Sequence, residues 1–172
     1  LVPYVAHPDV LSADGDVQDG KRPSLLLFDE LHRFTKKKAE TVRTVLKKGM
    51  ISRAPVIDGI ETGEPLMIQT TTSGDEYECP LWFQEYEYAQ GVKSGAIDDK
   101  KYFAAIYQAD PKRIEAEADY WKSREARVAA NPSHEEYGGF ISDSVLEEEM
   151  HEAERRPEKK HDLIRLNLNV PQ

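Results

Sequence analysis

Four consecutive apolar residues, Leu25-Leu26-Leu27-Phe28, run straight into two carboxylates, Asp29 and Glu30. A half-buried strand alternates apolar and polar residues, whereas an unbroken apolar run reads as a strand covered on both faces, as in a parallel sheet. A second run, Pro65-Leu66-Met67-Ile68-Gln69-Thr70, reads as another short strand and continues into Thr71-Thr72-Ser73-Gly74. Between them, residues 35–48 place Ala39, Val42, Val45 and Leu46 at helical spacing. Thr35 is suited to cap that helix, lysines fill its last turn, and Gly49 is its expected stop. Strand, helix and strand in succession predict an α/β protein with a mostly parallel sheet, the strands 25–29 and 66–70 lying side by side.

The flanking segments are read with less regular patterns. Residues 1–23 are punctuated by Pro3, Pro8, Gly15, Gly20 and Pro23 and read as irregular. Residues 80–93 form an amphipathic helix through Trp82, Tyr86, Ala89 and Val92. Residues 101–108 are rich in strand formers. A charged helical stretch at 112–130, around Trp121, ends at Asn131-Pro132, because proline disfavours helix at the residue before it. A last helix spans 143–156, with Ser142 as cap and Val145, Leu146, Met150 and Ala153 inward.

The chain of 172 residues is long enough for a real core. Its net charge of −9 argues against a broad nucleic-acid-binding face. Lys36, Lys37, Lys38, Lys47 and Lys48 cluster locally, which reads as a solvated helix face in preference to a DNA contact. The single cysteine, Cys79, excludes an internal disulfide and speaks against a zinc cluster. No apolar run approaches the ~20 residues of a membrane helix. The N-terminal stretch has no signal-peptide pattern, so an intracellular protein is expected. The first residue is Leu, as a processed or truncated product would have.

In α/β sheets, polar residues at the carboxyl ends of strands face the ligand crevice. Both polar clusters, Asp29-Glu30 and Thr70–Ser73, sit at such ends. An apolar strand ending in Asp-Glu is the Walker B pattern. Its first carboxylate can bind Mg²⁺ through water, since magnesium keeps much of its hydration shell. Its second can orient and deprotonate the water that attacks a γ-phosphate. Consecutive strand residues point to opposite faces, so the two acids take different roles only if the chain turns there. The hydroxyls of Thr70, Thr71, Thr72 and Ser73 can bond both to a phosphate and to a neighbouring carboxylate, which suits them to sense nucleotide state. Taken alone, each pattern also fits a solvated strand end or an ordinary Ser/Thr-rich turn.

In order along the chain, Asp19-Gly20-Lys21-Arg22-Pro23-Ser24, the run Leu25 to Phe28 with Asp29-Glu30-Leu31-His32, the segment Ile68 to Gly74, the Tyr-rich helix Tyr86 to Gly95, Ala109-Asp110, Trp121, Ala130-Asn131-Pro132 and Asn167-Leu168-Asn169 together resemble the large terminase subunits of tailed phages and prophages. The resemblance covers residue 11 to the end. It implies a partial P-loop NTPase core of ASCE/RecA-like type followed by a helical connecting segment. Residues 1–110 would be the C-terminal half of an ATPase motor domain, and 111–172 a connection toward a nuclease. It further implies ATP and Mg²⁺ as ligands, with Asp29 as the Mg²⁺-associated acid, Glu30 as catalytic base, and Thr70, Thr71 and Thr72 as a coupling motif linking hydrolysis to motion. His32 completes the Asp-Glu-Leu-His run and receives only a minor local role. The implied partners are double-stranded DNA, the portal protein, the small terminase subunit and other copies of the subunit in a ring, in the host cytoplasm. Arg22, Arg43 and Arg53 are equal candidates for an arginine that completes a neighbouring subunit's site.

The chain contains no Gly-x-x-x-x-Gly-Lys-Ser/Thr loop. That loop cradles phosphates with backbone N–H groups and a lysine. The resemblance places it before residue 1 and the nuclease after residue 172, so this chain alone is expected to lack ATPase activity. An uncovered sheet face or edge is expected for the same reason, with marginal stability or self-association. Two other readings stand beside this one. The Asp-Glu-Leu-His run also fits a DExH-type helicase fragment, and a non-catalytic prophage remnant or interaction module would carry the same residues.

Overall fold

The computed structural model describes residues 21–35, 37–51, 56–57, 60–61, 63–75 and 77–171. The expected irregular stretch through residue 20, Lys36 and Arg53 lie outside them, as do the side chains of Lys37, Lys38 and Ala39. The chain divides into two compact units, one of residues 1–29 and 34–70, the other of 30–33 and 71–172.

The first unit holds β1 (Leu25–Phe28), α1 (Lys37–Ile51), the short strands β2 (Val56–Ile57) and β3 (Ile60–Glu61), and β4 (Leu66–Gln69). β1 and β4 pair in parallel, Leu25 beside Leu66 and Phe28 beside Gln69, as the two apolar runs predict. The pairing continues at both ends: Leu66 N–H donates to the Ser24 carbonyl and Thr70 N–H to the Phe28 carbonyl, each at 2.9 Å. Parallel neighbours need a crossover, and α1 with the antiparallel β2–β3 pair supplies it. Leu26 and Phe28 of β1 and Val42, Leu46 and Met50 of α1 are buried. Arg43 Nε of α1 donates to Gln69 Oε1 at the end of β4 (2.9 Å).

β1 is not buried on both faces: Leu25 and Leu27 are 57% and 63% exposed, and their register partners Leu66 and Ile68 are 55% and 41% exposed. The four side chains make one open apolar face of the two-stranded ribbon, because this sheet is covered on one side only. The expected uncovered face is therefore present. α1 does not stop at Gly49 but runs on to Ile51. Met50 continues the buried stripe of Val42 and Leu46 at four-residue spacing, and its burial outweighs the ~1 kcal/mol that glycine costs in a helix. Lys47 and Lys48 are exposed.

The second unit opens with a 3₁₀ turn, Leu31–Arg33, in which Leu31 and His32 are buried. α2 (Pro80–Ser94) starts with proline at its first position and ends at Gly95, whose φ of 79° lets its N–H reach the Val92 carbonyl. Asp75 prepares its start by accepting from the N–H groups of Tyr77 and Glu78. Residues 102–110 are not a strand, contrary to their composition. Exposure alternates along them as in a strand, but among the described residues no ladder forms, and propensity without a partner yields only extended chain.

The expected helix 112–130 is three pieces: α3 (Pro111–Ala116), a 3₁₀ turn Tyr120–Lys122, and α4 (Arg124–Ala130). Two caps divide it. Asp110 accepts from the Lys112 and Arg113 N–H groups, and Ser123 accepts from Ala126 N–H. α5 (Asp143–Arg155) buries Leu146, Met150 and Ala153, while Val145 is 58% exposed and not inward as expected. Ser142 occupies the cap position without capping; its Oγ pairs with Ser144 Oγ. α6 (Lys160–Leu166) completes the unit. Trp121, Ala126, Met150, Leu163, Ile164 and Leu168 lie at the centre of its core. Arg127 grips Asp143 with Nε and a terminal nitrogen, at 2.8 and 2.9 Å, and His134 Nε2 stands 3.2 Å from the same carboxylate. The two asparagine motifs latch together, Asn131 Nδ2 donating to the Asn167 carbonyl and Asn169 Nδ2 to that of Ala130. No helix among the described residues is long and apolar enough to cross a membrane.

Candidate functional site

The parallel register decides what lies at the end of β1. With Phe28 beside Gln69, the next residues of the two strands emerge together, and Thr70 Oγ1 donates to Asp29 Oδ1 at 2.7 Å. Both belong to the first unit and both are exposed. A hydroxyl bonded to a carboxylate fixes its orientation more firmly than a neutral pair would. Among the described residues no group of three or more His, Cys, Asp or Glu side chains could hold a metal ion. A single exposed carboxylate with a hydroxyl beside it fits Mg²⁺, which uses one or two carboxylates and fills its other positions with water and phosphate oxygens.

The chain passes into the second unit between Asp29 and Glu30, and again between Thr70 and Thr71. Glu30 has φ 55°, the left-handed region, at a cost of about 1–3 kcal/mol for a residue with a side chain. The turn that separate roles for the two acids require is therefore present. Glu30 Oε2 stands 3.3 Å from His32 Nε2 and 3.8 Å from Arg33 Nε. The Arg33 N–H closes the turn onto the Glu30 carbonyl at 2.8 Å.

His32 is the centre of this second cluster. Its backbone N–H donates to Thr71 Oγ1 at 3.0 Å, and its Nδ1 lies 3.1 Å from Thr71 Oγ1 and 3.2 Å from Thr72 Oγ1. Its carbonyl accepts from the buried thiol of Cys79, just before α2. Thr71 Oγ1 gives its proton to the Thr72 carbonyl at 2.7 Å. A carboxylate only accepts, so a neutral ring with its hydrogen on Nε2, toward Glu30, and Thr72 donating to Nδ1 satisfies all three groups. Burial pushes the His32 pKa down, opposed by the Glu30 charge, and favours the neutral ring that this arrangement needs. Burial likewise pushes the Cys79 thiol up, which suits a structural donor and not a nucleophile.

The loop that carries the threonines is packed tightly behind them. Ser73 and Gly74 are buried, and a Cβ at Gly74 would sit 2.8 Å from Cδ2 of Trp82 in α2. Glycine is needed at that position for the close approach. The sequence-predicted residues therefore separate into two sets, Asp29 with Thr70, and Glu30 with Thr71 and Thr72. His32, given only a minor local role from the sequence, contacts both Glu30 and Thr72. Its signal was the histidine two residues after the second acid, on a turn too short to hide it unless it met a partner. Of the candidate arginines, Arg22 is exposed and Arg43 is engaged with Gln69.

A sequence profile described as terminase large subunit, ATPase domain, matches residues 5–91. None of the curated proteins matches the chain. Among solved structures, the crystal structure of the HK97 bacteriophage large terminase is similar, with a TM-score of 0.62 and 23% identity over 94% of this chain. The chain spans 28% of the length of that terminase. The likeness is one of fold, α/β with a small parallel sheet and helices.

Proposed function

The chain belongs to the terminase large subunit family, through its ATPase domain, and from that premise we propose that it forms the acid-bearing part of an ATP-hydrolysing motor that drives viral DNA into procapsids. The observation that carries this reading is the parallel β1–β4 pair, which ends in one acid held by Thr70 and continues into a second acid contacted by a buried imidazole. Asp29 would hold Mg²⁺ through water, with Thr70 keeping its carboxylate in place. Bound Mg²⁺ neutralises charge on the phosphates. Glu30 would accept the proton of the attacking water, and Thr71 and Thr72 would pass the state of the site to the rest of the chain.

Residues 1–110 would belong to the motor domain and 111–172 to the connection beyond it. The partners would be double-stranded DNA, the portal protein, the small terminase subunit and further copies of the subunit, in the host cytoplasm at the procapsid portal. Phosphoryl transfer depends on positioning and charge stabilisation. Since this sequence has no Gly-x-x-x-x-Gly-Lys-Ser/Thr loop, the chain by itself should release negligible phosphate from ATP. The test uses a full-length large subunit containing this chain. Glu30→Gln should abolish steady-state phosphate release while ATP still binds, because the amide is nearly isosteric but accepts no proton. Hydrolysis at the parent rate would show that Glu30 is not the base.

A further inference from the structure

A buried histidine is usually a satisfied polar group and nothing more. Three features set His32 apart. It lies between the second acid and the threonine loop, with Nε2 3.3 Å from the Glu30 carboxylate and Nδ1 3.2 Å from the Thr72 hydroxyl. Its main chain is pinned on both sides, the N–H by Thr71 Oγ1 and the carbonyl by Cys79 Sγ, so the ring has a fixed base from which to turn. The proton count around it is directional. The Thr71 hydroxyl proton is used on the Thr72 carbonyl, and the Glu30 carboxylate can only accept, so Thr72 donating to Nδ1 with the ring N–H on the Nε2 side is the arrangement that satisfies every group.

We propose that His32 is a positioning residue that ties the orientation of the Glu30 carboxylate to the conformation of Thr71–Thr72. While Thr72 donates to Nδ1, the ring is held with its Nε2 hydrogen toward Glu30, and the carboxylate is steadied by that partial positive charge. When the loop moves and its contacts to Nδ1 break, the ring loses its outer restraint and the carboxylate loses the contact that the ring gives it. The dependence runs both ways, since a coupling between two groups is reciprocal: a change at Glu30 alters what Thr72 meets. The threonine loop would then control the base as well as report on it. This inference rests on the reading of Glu30 as the base.

The test is made in a full-length large subunit containing this chain, with two independent measurements. The first is steady-state ATP hydrolysis. His32→Asn keeps an amide near the Nδ1 position but does not reach Glu30, and its kcat should fall roughly tenfold or more, with KM for ATP unchanged. His32→Gln places an amide N–H near the Nε2 position and should recover part of that loss. Thr72→Val should lower kcat in the parent, yet add nothing in the His32→Asn background, because both remove the same link. The second is histidine-selective ¹⁵N NMR of the imidazole. His32 should show a protonated Nε2 and an accepting Nδ1, the Nδ1 resonance moving in Thr72→Val and the Nε2 resonance in Glu30→Gln.

Parent-like kcat in His32→Asn, or independent multiplication of the His32 and Thr72 effects, would overturn the proposal. So would ring resonances that ignore both neighbours. If Glu30→Gln itself hydrolyses ATP normally, the reading of the base has failed, and the NMR result then decides by itself whether the Thr72–His32–Glu30 link exists.

Discussion

Asp29 and Glu30 are chain neighbours, but they are supported by unlike structure. Asp29 follows a two-stranded ribbon with an open apolar face, and an exposed threonine hydroxyl donates to it. Glu30 sits in a left-handed turn, against an imidazole that is itself buried in a second, helical unit. An exposed carboxylate oriented by a hydroxyl suits a hydrated cation that comes and goes. A carboxylate held through a buried ring suits a base whose aim must be kept. Both acids are exposed, but their backbone conformations and neighbours differ.

The contrast breaks first where the helical unit is weakest to substitution. Arg127 is buried and its guanidinium is spent on Asp143, so Arg127→Ala leaves a part-buried carboxylate without its main partner. Loss of one member of such a pair costs about 3–5 kcal/mol. Denaturant unfolding of this chain should show that drop, and a change under ~1 kcal/mol would mean the pair adds little to the unit that carries Glu30.

A smaller effect sharpens the same contrast through pH. The Arg127 guanidinium, with help from His134 and Arg124, holds the Asp143 carboxyl down at about 2, against 3.8 unperturbed. A folded pKa below the unfolded one stabilises fully above the unfolded value and fades as pH falls through the folded value. The parent should therefore lose about 2 kcal/mol between pH 5 and pH 2 that Asp143→Asn, already weaker at pH 7, does not lose. Parallel acid profiles for the two chains would contradict this.

The smallest effect on stability belongs to the ribbon. Leu27 is 63% exposed, so Leu27→Lys should change unfolding free energy by no more than ~0.5 kcal/mol. It should nonetheless reduce any concentration-dependent association, read by sedimentation, because it puts a charge on the open face. Unchanged association would place the sticky surface elsewhere.

The parallel pairing was legible because two apolar runs, each ending in polar residues, leave few other arrangements. α2 and the buried stripe of α5 were legible from helical spacing. The length of α1 was not, because Met50, the residue after the glycine that looked like a stop, is buried one turn beyond Leu46. The strand expected at 101–108 was not, because a ladder depends on a neighbour and composition does not name one. The site was half legible. Apolar strand ends marked Asp29, Glu30 and the threonines, and the family match rests on the chain that carries them. The division of the threonines was hidden, because it depends on which of three adjacent residues follows the last ladder bond at Thr70. His32 was hidden for the same reason: its partners lie 39 and 40 residues away. The asparagine motifs pointed to the family, but their latch between Ala130, Asn131, Asn167 and Asn169 appears only in three dimensions.

The most direct test of two acids with two jobs is the Mg²⁺ dependence of nucleotide binding, measured by titration calorimetry on a full-length large subunit with each acid altered. Glu30→Gln should bind ATP with the parent's Mg²⁺ dependence. Asp29→Asn should bind more weakly and need more Mg²⁺ to do so, by roughly tenfold or more, the loss of a charge-assisted contact to the hydrated ion. If both variants bind with the parent's Mg²⁺ dependence, or if Glu30→Gln is the one that loses it, the assignment of the cation to Asp29 and the proton to Glu30 is wrong.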